Sequence, residues 1–259
     1  MDPLGTAAVC AVGKEGETMQ ILAIGNSFSQ DATRYLHRLA RKAGDCVTVV
    51  NLYIGGCTLA RHYRNMLSGE RAYELQVNGE ATGFKVSLEE ALLNREWDVI
   101  TLQQASHESH SYESYQPYLG ALAAYAKRLC PKAKQYIHQT WAYEQDSERL
   151  TVKMGYESSA QMTAEVIAAY GQAATEIGAD GVIPSGELFA EMLANGIEKI
   201  HRDTFHARLG LGRYALALLW YGVLCGKDVS GDAFDAFDEP VEERERRIAI
   251  ECVSKILKK

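Results

Sequence analysis

No stretch of 18 or more consecutive apolar residues occurs in the sequence, so no membrane-spanning helix is expected. Positive charge is in deficit: 27 Lys and Arg stand against 34 Asp and Glu, a formal net charge of -7. That balance argues against a nucleic-acid partner, because phosphate binding needs a basic face. No C-x-x-C pair occurs among the cysteines, which are scattered as Cys10, Cys46, Cys57, Cys130, Cys225 and Cys252. Such spacing suits reduced, buried thiols in a reducing compartment rather than a disulfide framework. The opening residues lack the charged-then-apolar pattern of a secretory signal, so the cytoplasm is the expected location. They are polar and contain glycine, and residues 1–18 are expected to form a poorly structured leader. No repeat, low-complexity tract or linker divides the rest, so residues 19–259 are expected to form one domain.

With 259 residues, 47% hydrophobic and 24% charged, the chain is long enough to bury one sizeable α/β core. Apolar strand patterns alternate with helical ones, the signature of a parallel sheet covered on both faces. Strands are expected at Ile21–Ile24, Cys46–Ile54, Asp98–Gln104, Gln135–Trp141 and Gly181–Pro184. Between the second and third, residues 73–77 and 84–86 around Asn78-Gly79 read as a hairpin excursion, since Asn-Gly is a strong type I′ turn signal. Helices are expected over residues 30–42, from the capping box Ser87-Leu88-Glu89-Glu90 to Arg95, and over 117–129, 159–177, 187–193, 211–224 and 240–257. Residues 142–157 are charged and irregular, a plausible lid. The fold class is therefore a flavodoxin-like three-layer α/β/α sandwich with a five-stranded parallel sheet.

The stretch Ile21-Leu22-Ala23-Ile24-Gly25-Asn26-Ser27 runs from a buried strand into a turn, and a helical pattern follows at once. A serine at such a handover sits at the carboxyl edge of the sheet, where ligands bind in open α/β folds. Ser27 is thus either a nucleophile or simply the cap of the helix. Gly55-Gly56 ends the second strand. It is either an ordinary tight turn or a place where a backbone N–H approaches a developing oxyanion. Near the other end of the chain stands Arg202-Asp203-Thr204-Phe205-His206. An Asp three residues before a His can accept the imidazole Nδ1–H and leave Nε2 free as a base. Such a base is what a weak serine hydroxyl needs.

Together these elements resemble the SGNH, or GDSL-type, hydrolases. The resemblance runs from about Gln20 to Lys227. It matches Gly25-Asn26-Ser27 to the nucleophile turn, Gly56 to the second-strand glycine, and Asp203 with His206 to the C-terminal dyad. More narrowly, the segments starting at Ile24, Leu52, Leu102 and His138 are similar to a bacterial branch common in gut bacteria and catalogued as a domain of unknown function. The resemblance implies a serine esterase with a Ser27–His206–Asp203 triad, acting on a small acyl, chiefly acetyl, ester of a carbohydrate. The sequence itself gives no metal or organic cofactor.

Two departures stand out. Asn26 replaces the usual Asp beside the serine. The Gly-x-Asn-Asp of the third strand is absent, and Leu102-Gln103-Gln104-Ala105 stands there instead. Because a Gln carboxamide offers the same N–H donors as Asn, Gln104 is the expected third oxyanion donor beside the Ser27 and Gly56 amides, with Gln103 next. Asn26, Gln103, His107, His138, Trp141 and Arg202 are the further residues expected to line the substrate site. Trp141 could equally pack the core, and Arg202 could hold a substrate carboxylate or be solvated. His107 and His110 could bind zinc, but no third ligand has fitting spacing. The changed third strand also admits a catalytically silent carbohydrate-binding module.

Overall fold

The structure is a computed structural model that describes residues 18–258. All but the last residue of the expected leader lies outside the described residues. The strands are β1 (Met19–Gly25), β2 (Val47–Tyr53), β3 (Tyr73–Val77), β4 (Glu80–Val86), β5 (Val99–Leu102), β6 (Lys134–His138) and β7 (Gly181–Ile183). They form one sheet in the order β4-β3-β2-β1-β5-β6-β7. β1 lies at its centre, parallel to β2 and β5, with Leu22 opposite Val50 on one side and Ile100 on the other. Ile21, Leu22, Ala23 and Ile24 are at most 1% exposed. A strand covered on both faces must be apolar throughout, which explains the unbroken run.

Among the described residues the sheet has seven strands rather than the expected five. The additional two are the hairpin, which does not leave the sheet but covers the outer edge of β2. β3 pairs antiparallel with β2, placing Leu52 opposite Leu75. Asn51 of β2 donates to Gln76 of β3 at 2.9 Å, so a buried polar pair fixes their register. Asn78 and Gly79 have φ of 54° and 85°, the two left-handed residues of a type I′ turn.

The helices are α1 (Ser27–Thr33), α2 (Leu36–Lys42), α3 (Leu59–Ser68), α4 (Leu88–Leu93), α5 (Tyr118–Leu129), α6 (Ser159–Ile177), α7 (Ser185–Ala194), α8 (Leu211–Cys225) and α9 (Glu243–Ile256). α1, α2, α8 and α9 pack together in one layer and α3, α4, α5 and α6 in the other. α8 is apolar nearly all round because it lies inside its layer, with α1, α2 and α9 against it. The single helix expected over 30–42 is two. It starts earlier, at Ser27, because Asn26 caps it, and it breaks at Arg34–Tyr35. The β3–β4 turn packs against that break, where Arg34 donates to the Gly79 carbonyl at 2.8 Å. No described helix is long and apolar enough to cross a membrane. The five described cysteines are free.

Three histidines are buried by this packing. Burial pushes His62 and His138 down to about 3 and His201 down to about 4. Each is therefore neutral when folded, whereas in the unfolded chain it takes up a proton below about 6.5. The unfolded state binds more protons in that window, so their contribution to stability is complete above pH 6.5 and is lost as pH falls toward 4 and 3. Linkage gives a loss of about 2 kcal/mol per histidine by pH 5. Denaturant unfolding at pH 7.5 and pH 5 should show a drop of several kcal/mol; equal stabilities would contradict the neutral burial of these rings.

Candidate active site

The end of β1 is built around one turn. A Cβ on Gly25 would run into Ser29 Oγ, so glycine is needed there. Asn26 is the N-cap of α1: its Oδ1 accepts from the Phe28 N–H at 3.0 Å, while Ser29 Oγ accepts from the Asn26 N–H at 3.0 Å. Ser29 Oγ in turn donates to Asn51 on β2 at 2.7 Å. The capping role thus belongs to Asn26 and Ser29. Ser27 is the first residue of the helix, its hydroxyl is not spent on the cap, and its N–H is one of the leading donors of α1.

The loop between α7 and α8 brings the second half of the site. An antiparallel bridge between His201 and Ala207 pinches it closed. Within it Thr204 has φ of 74°, a left-handed conformation that a β-branched residue adopts only under constraint. The constraint is visible in the carbonyls of that residue and the next. The Thr204 carbonyl accepts from the Glu144 N–H at 2.7 Å, and the Phe205 carbonyl accepts from Trp141 Nε1 at 2.8 Å. His206 Nε2 lies 2.8 Å from Ser27 Oγ, and His206 Nδ1 lies 2.8 Å from Asp203 Oδ2. Asp203 Oδ1 also accepts from the His206 N–H at 2.9 Å. Partial burial alone would raise the Asp203 carboxyl, but these bonds from the His206 ring and backbone outweigh it and hold it below its ordinary value. It is thus ionised where an imidazole works. A carboxylate on Nδ1 selects the tautomer whose Nε2 can accept a proton from a hydroxyl.

Beside this relay lies a cleft of about 340 Å³. Ser27, His206, Asn26, Gly55, Gly56, His107 and Arg202 line it, as expected. Gly56 has φ of 59° in a turn closed by the Cys57 N–H on the Ile54 carbonyl at 3.1 Å. That turn presents the glycine backbone to the cleft with no side chain in the way.

Four expected site residues are elsewhere. Gln104 is fully buried with its carboxamide saturated: Oε1 accepts from the Leu59 and Ala105 N–H groups at 2.9 Å each, and Nε2 donates to the Ser114 carbonyl and Oγ at 3.0 Å each. The extra methylene takes the amide past the cleft into the junction of α3 with the loop after β5. Gln103 turns behind Ser27, donating to Asn26 Oδ1 at 2.7 Å and facing His138 Nδ1 at 2.8 Å. His138 is buried between Gln103 and Ser185. Trp141 is buried, stacked 4.2 Å from Phe28 and 4.7 Å from Phe189, so it packs the core. The half-exposed His107 and His110 face different carboxylates, Glu108 and Glu165, and no group of three metal-ligating side chains gathers among the described residues.

Sequence reasoning missed the residue that joins the two halves. Asp31, on α1 one turn beyond Ser27, has no exposed surface. It accepts from Arg202 Nη1 at 2.9 and 3.0 Å, from Arg213 Nε at 2.8 Å and from the Ala207 N–H at 3.2 Å. Arg202, expected to face substrate or solvent, is thus an anchor for its own loop. Among the other cleft residues, Phe205 and Arg149 were also missed. The last opens the π-helical turn Arg149–Lys153 inside the expected lid. The irregular composition of residues 142–157 was the one available signal.

A family model described as a domain of unknown function, DUF4886, matches residues 20–254. A solved DUF4886 protein from Bacteroides uniformis is 31% identical, with a TM-score of 0.86, covering 93% of this chain and 95% of that one. A candidate SGNH hydrolase from Slackia heliotrinireducens is 25% identical with a TM-score of 0.59, covering 80% of this chain and all of that one. An acetyl xylan esterase from Geobacillus stearothermophilus shares the fold at 16% identity and a TM-score of 0.51, covering 80% and 94%. Comparison with curated proteins gives no match. The chain belongs to the DUF4886 family and has the fold of the SGNH hydrolases.

Proposed function

We propose that the protein is a serine esterase that hydrolyses a small acyl ester, an acetyl ester of a carbohydrate, through an acyl-enzyme. The observation that carries this reading is the continuous relay of two 2.8 Å contacts from Ser27 Oγ through His206 to Asp203. Likeness to a candidate SGNH hydrolase and to esterases supports a hydrolase. In the proposed reaction Ser27 Oγ attacks the ester carbonyl while His206 Nε2 takes its proton. Asp203 stays ionised, orients the ring and favours the imidazolium. The Ser27 and Gly56 N–H groups donate to the oxyanion. His206 then protonates the leaving alcohol, and water, activated by the same imidazole, releases the acid.

The saturated carboxamide of Gln104 favours a second reading, a silent ligand-binding module, because one expected oxyanion donor is missing. A serine-directed fluorophosphonate separates the two: stoichiometric labelling abolished by Ser27→Ala supports the enzyme, and absent labelling of folded protein supports the module.

On a short-chain aryl ester, Ser27→Ala should remove nearly all turnover, and Asp203→Asn should cost up to about 10⁴ in rate with the fold intact. Retained turnover in the Ser27 variant would reject the nucleophile. Gln104→Ala should act on stability, because it strips partners from the buried Leu59 N–H and the Ser114 carbonyl; melting should fall by several degrees. Unchanged melting with turnover down about 10²–10³ would instead restore Gln104 to the oxyanion hole. Asp31→Asn should destabilise by about 3 kcal/mol, because two arginines lose their shared carboxylate. In the protein that remains folded it should slow both turnover and fluorophosphonate labelling at least about tenfold, as the loop carrying His206 loosens. Wild-type labelling rates would show that the clamp is structural only.

A further inference from the structure

The cleft beside Ser27 carries positive charge that the proposed chemistry leaves unused. Arg149 and Arg202 line it, and no Asp or Glu side chain does, although the chain has a formal net charge of -7. Arg202 is neutralised by Asp31. Arg149 is held differently: its Cζ lies 3.8 Å from the centre of the Phe205 ring and 5.7 Å from that of Tyr143, and among the described residues no carboxylate forms an ion pair with it. The Tyr143 hydroxyl takes a hydrogen bond from Arg149; a guanidinium stacked on an aromatic face is fixed in orientation while the remaining N–H donors along its edge stay available. That edge matches a carboxylate in two parallel hydrogen bonds, and fixing it beforehand lowers the entropy lost on binding.

The position of Arg149 indicates which half of an ester it would meet. Phe205 links Arg149 to the imidazole, its ring centre lying 3.9 Å from that of His206. Once His206 has taken the Ser27 proton, it must hand it to the leaving alcohol, so that alcohol lies on the His206 side of the cleft. The carbonyl oxygen turns the other way, toward the Ser27 and Gly56 amides. A group extending from the leaving oxygen past Phe205 therefore reaches Arg149.

We infer that the alcohol half of the substrate is a hydroxy acid, a sugar acid of the uronate class, whose carboxylate is held by Arg149. This rests on the esterase reading and narrows it. The reaction stays a hydrolysis: water adds across the ester C–O bond and yields the small acid and the free sugar acid, with no redox partner.

The test compares kcat/KM on three acetylated methyl glycosides with the same ring: the glucoside, the glucuronoside, and the neutral methyl ester of the glucuronoside. A charge-assisted bidentate contact should favour the free carboxylate about 10- to 100-fold over both neutral esters. The preference should shrink as salt rises. Arg149→Gln should collapse the ratio, with the larger loss on the charged substrate. Hydrolysis of all three without preference, or a preference that survives Arg149→Gln, overturns the inference and leaves the esterase reading standing. Failure to hydrolyse any ester, with no fluorophosphonate labelling, removes the esterase reading instead. The carboxylate site is then decided by calorimetric titration of methyl glucuronoside into Ser27→Ala: binding tighter than that of methyl glucoside and lost in the Ser27→Ala, Arg149→Gln double variant supports it, and equal affinities reject it.

Discussion

A single buried carboxylate holds the two halves of the site together. Asp31 sits on α1 with no exposed surface, facing Arg202, Arg213 and the Ala207 N–H at once. A buried ion is tolerated only when paired, and removing its partners is far costlier than the pair is worth in stability. The loop from His201 to Ala207 therefore cannot swing away without taking two of that carboxylate's three partners, Arg202 and the Ala207 N–H, with it. Ser27 is four residues before Asp31 on the same helix, and His206 is next to Ala207. The same clamp that fixes the loop thus sets a contact between residues 179 apart in the chain. Arg213 extends it to Asp238, which also takes Arg34, so the segment before α9 is tied into the same network.

Around the relay the chain commits its polar groups to holding the backbone in place. Asn26 caps α1, its Nδ2 donates to the Cys57 carbonyl, and its Oδ1 also takes Gln103, so the Ser27 turn and the Gly55-Gly56 turn are fastened to one side chain. That fastening holds the Ser27 and Gly56 backbone at the edge of the cleft. The left-handed Thr204 is held between the Glu144 N–H and the neighbouring Phe205–Trp141 bond. Strain at that residue puts Asp203 and His206 on the same side of a very short loop, as an i, i+3 pair needs to be.

Much of this was legible in the sequence, and the reasons differ from place to place. The unbroken apolar run of β1 and the alternation of strands and helices gave the layered fold, because burial on both faces leaves a compositional mark. Ser27, Asp203 and His206 were legible because their spacing relative to strands and helices is itself chemical information. The sheet came out two strands wider because an Asn-Gly hairpin marks its own turn but not its partner, and contacts such as the Asn51–Gln76 bond show where β3 docks. Gln104, His138 and Trp141 lie near the carboxyl edge in sequence, yet one rotamer decides between cleft and core, and the core offered each of them partners. Asp31 and Arg149 were invisible for the opposite reason. The partners of Asp31, and Phe205 beside Arg149, lie far away in the chain, and a lone charge on a helix or in an irregular segment reads as solvated until the tertiary contacts are known.

In the proposed reaction a hydroxyl, an imidazole and two backbone amides converge on one reacting carbon. The most direct measurement is a crystal structure of the protein after reaction with a small alkyl fluorophosphonate. The phosphorus should be bonded to Ser27 Oγ, with the phosphoryl oxygen within hydrogen-bond distance of the Ser27 and Gly56 N–H groups and His206 Nε2 facing an ester oxygen. Phosphorus on another residue, or a phosphoryl oxygen turned away from both amides, would contradict it.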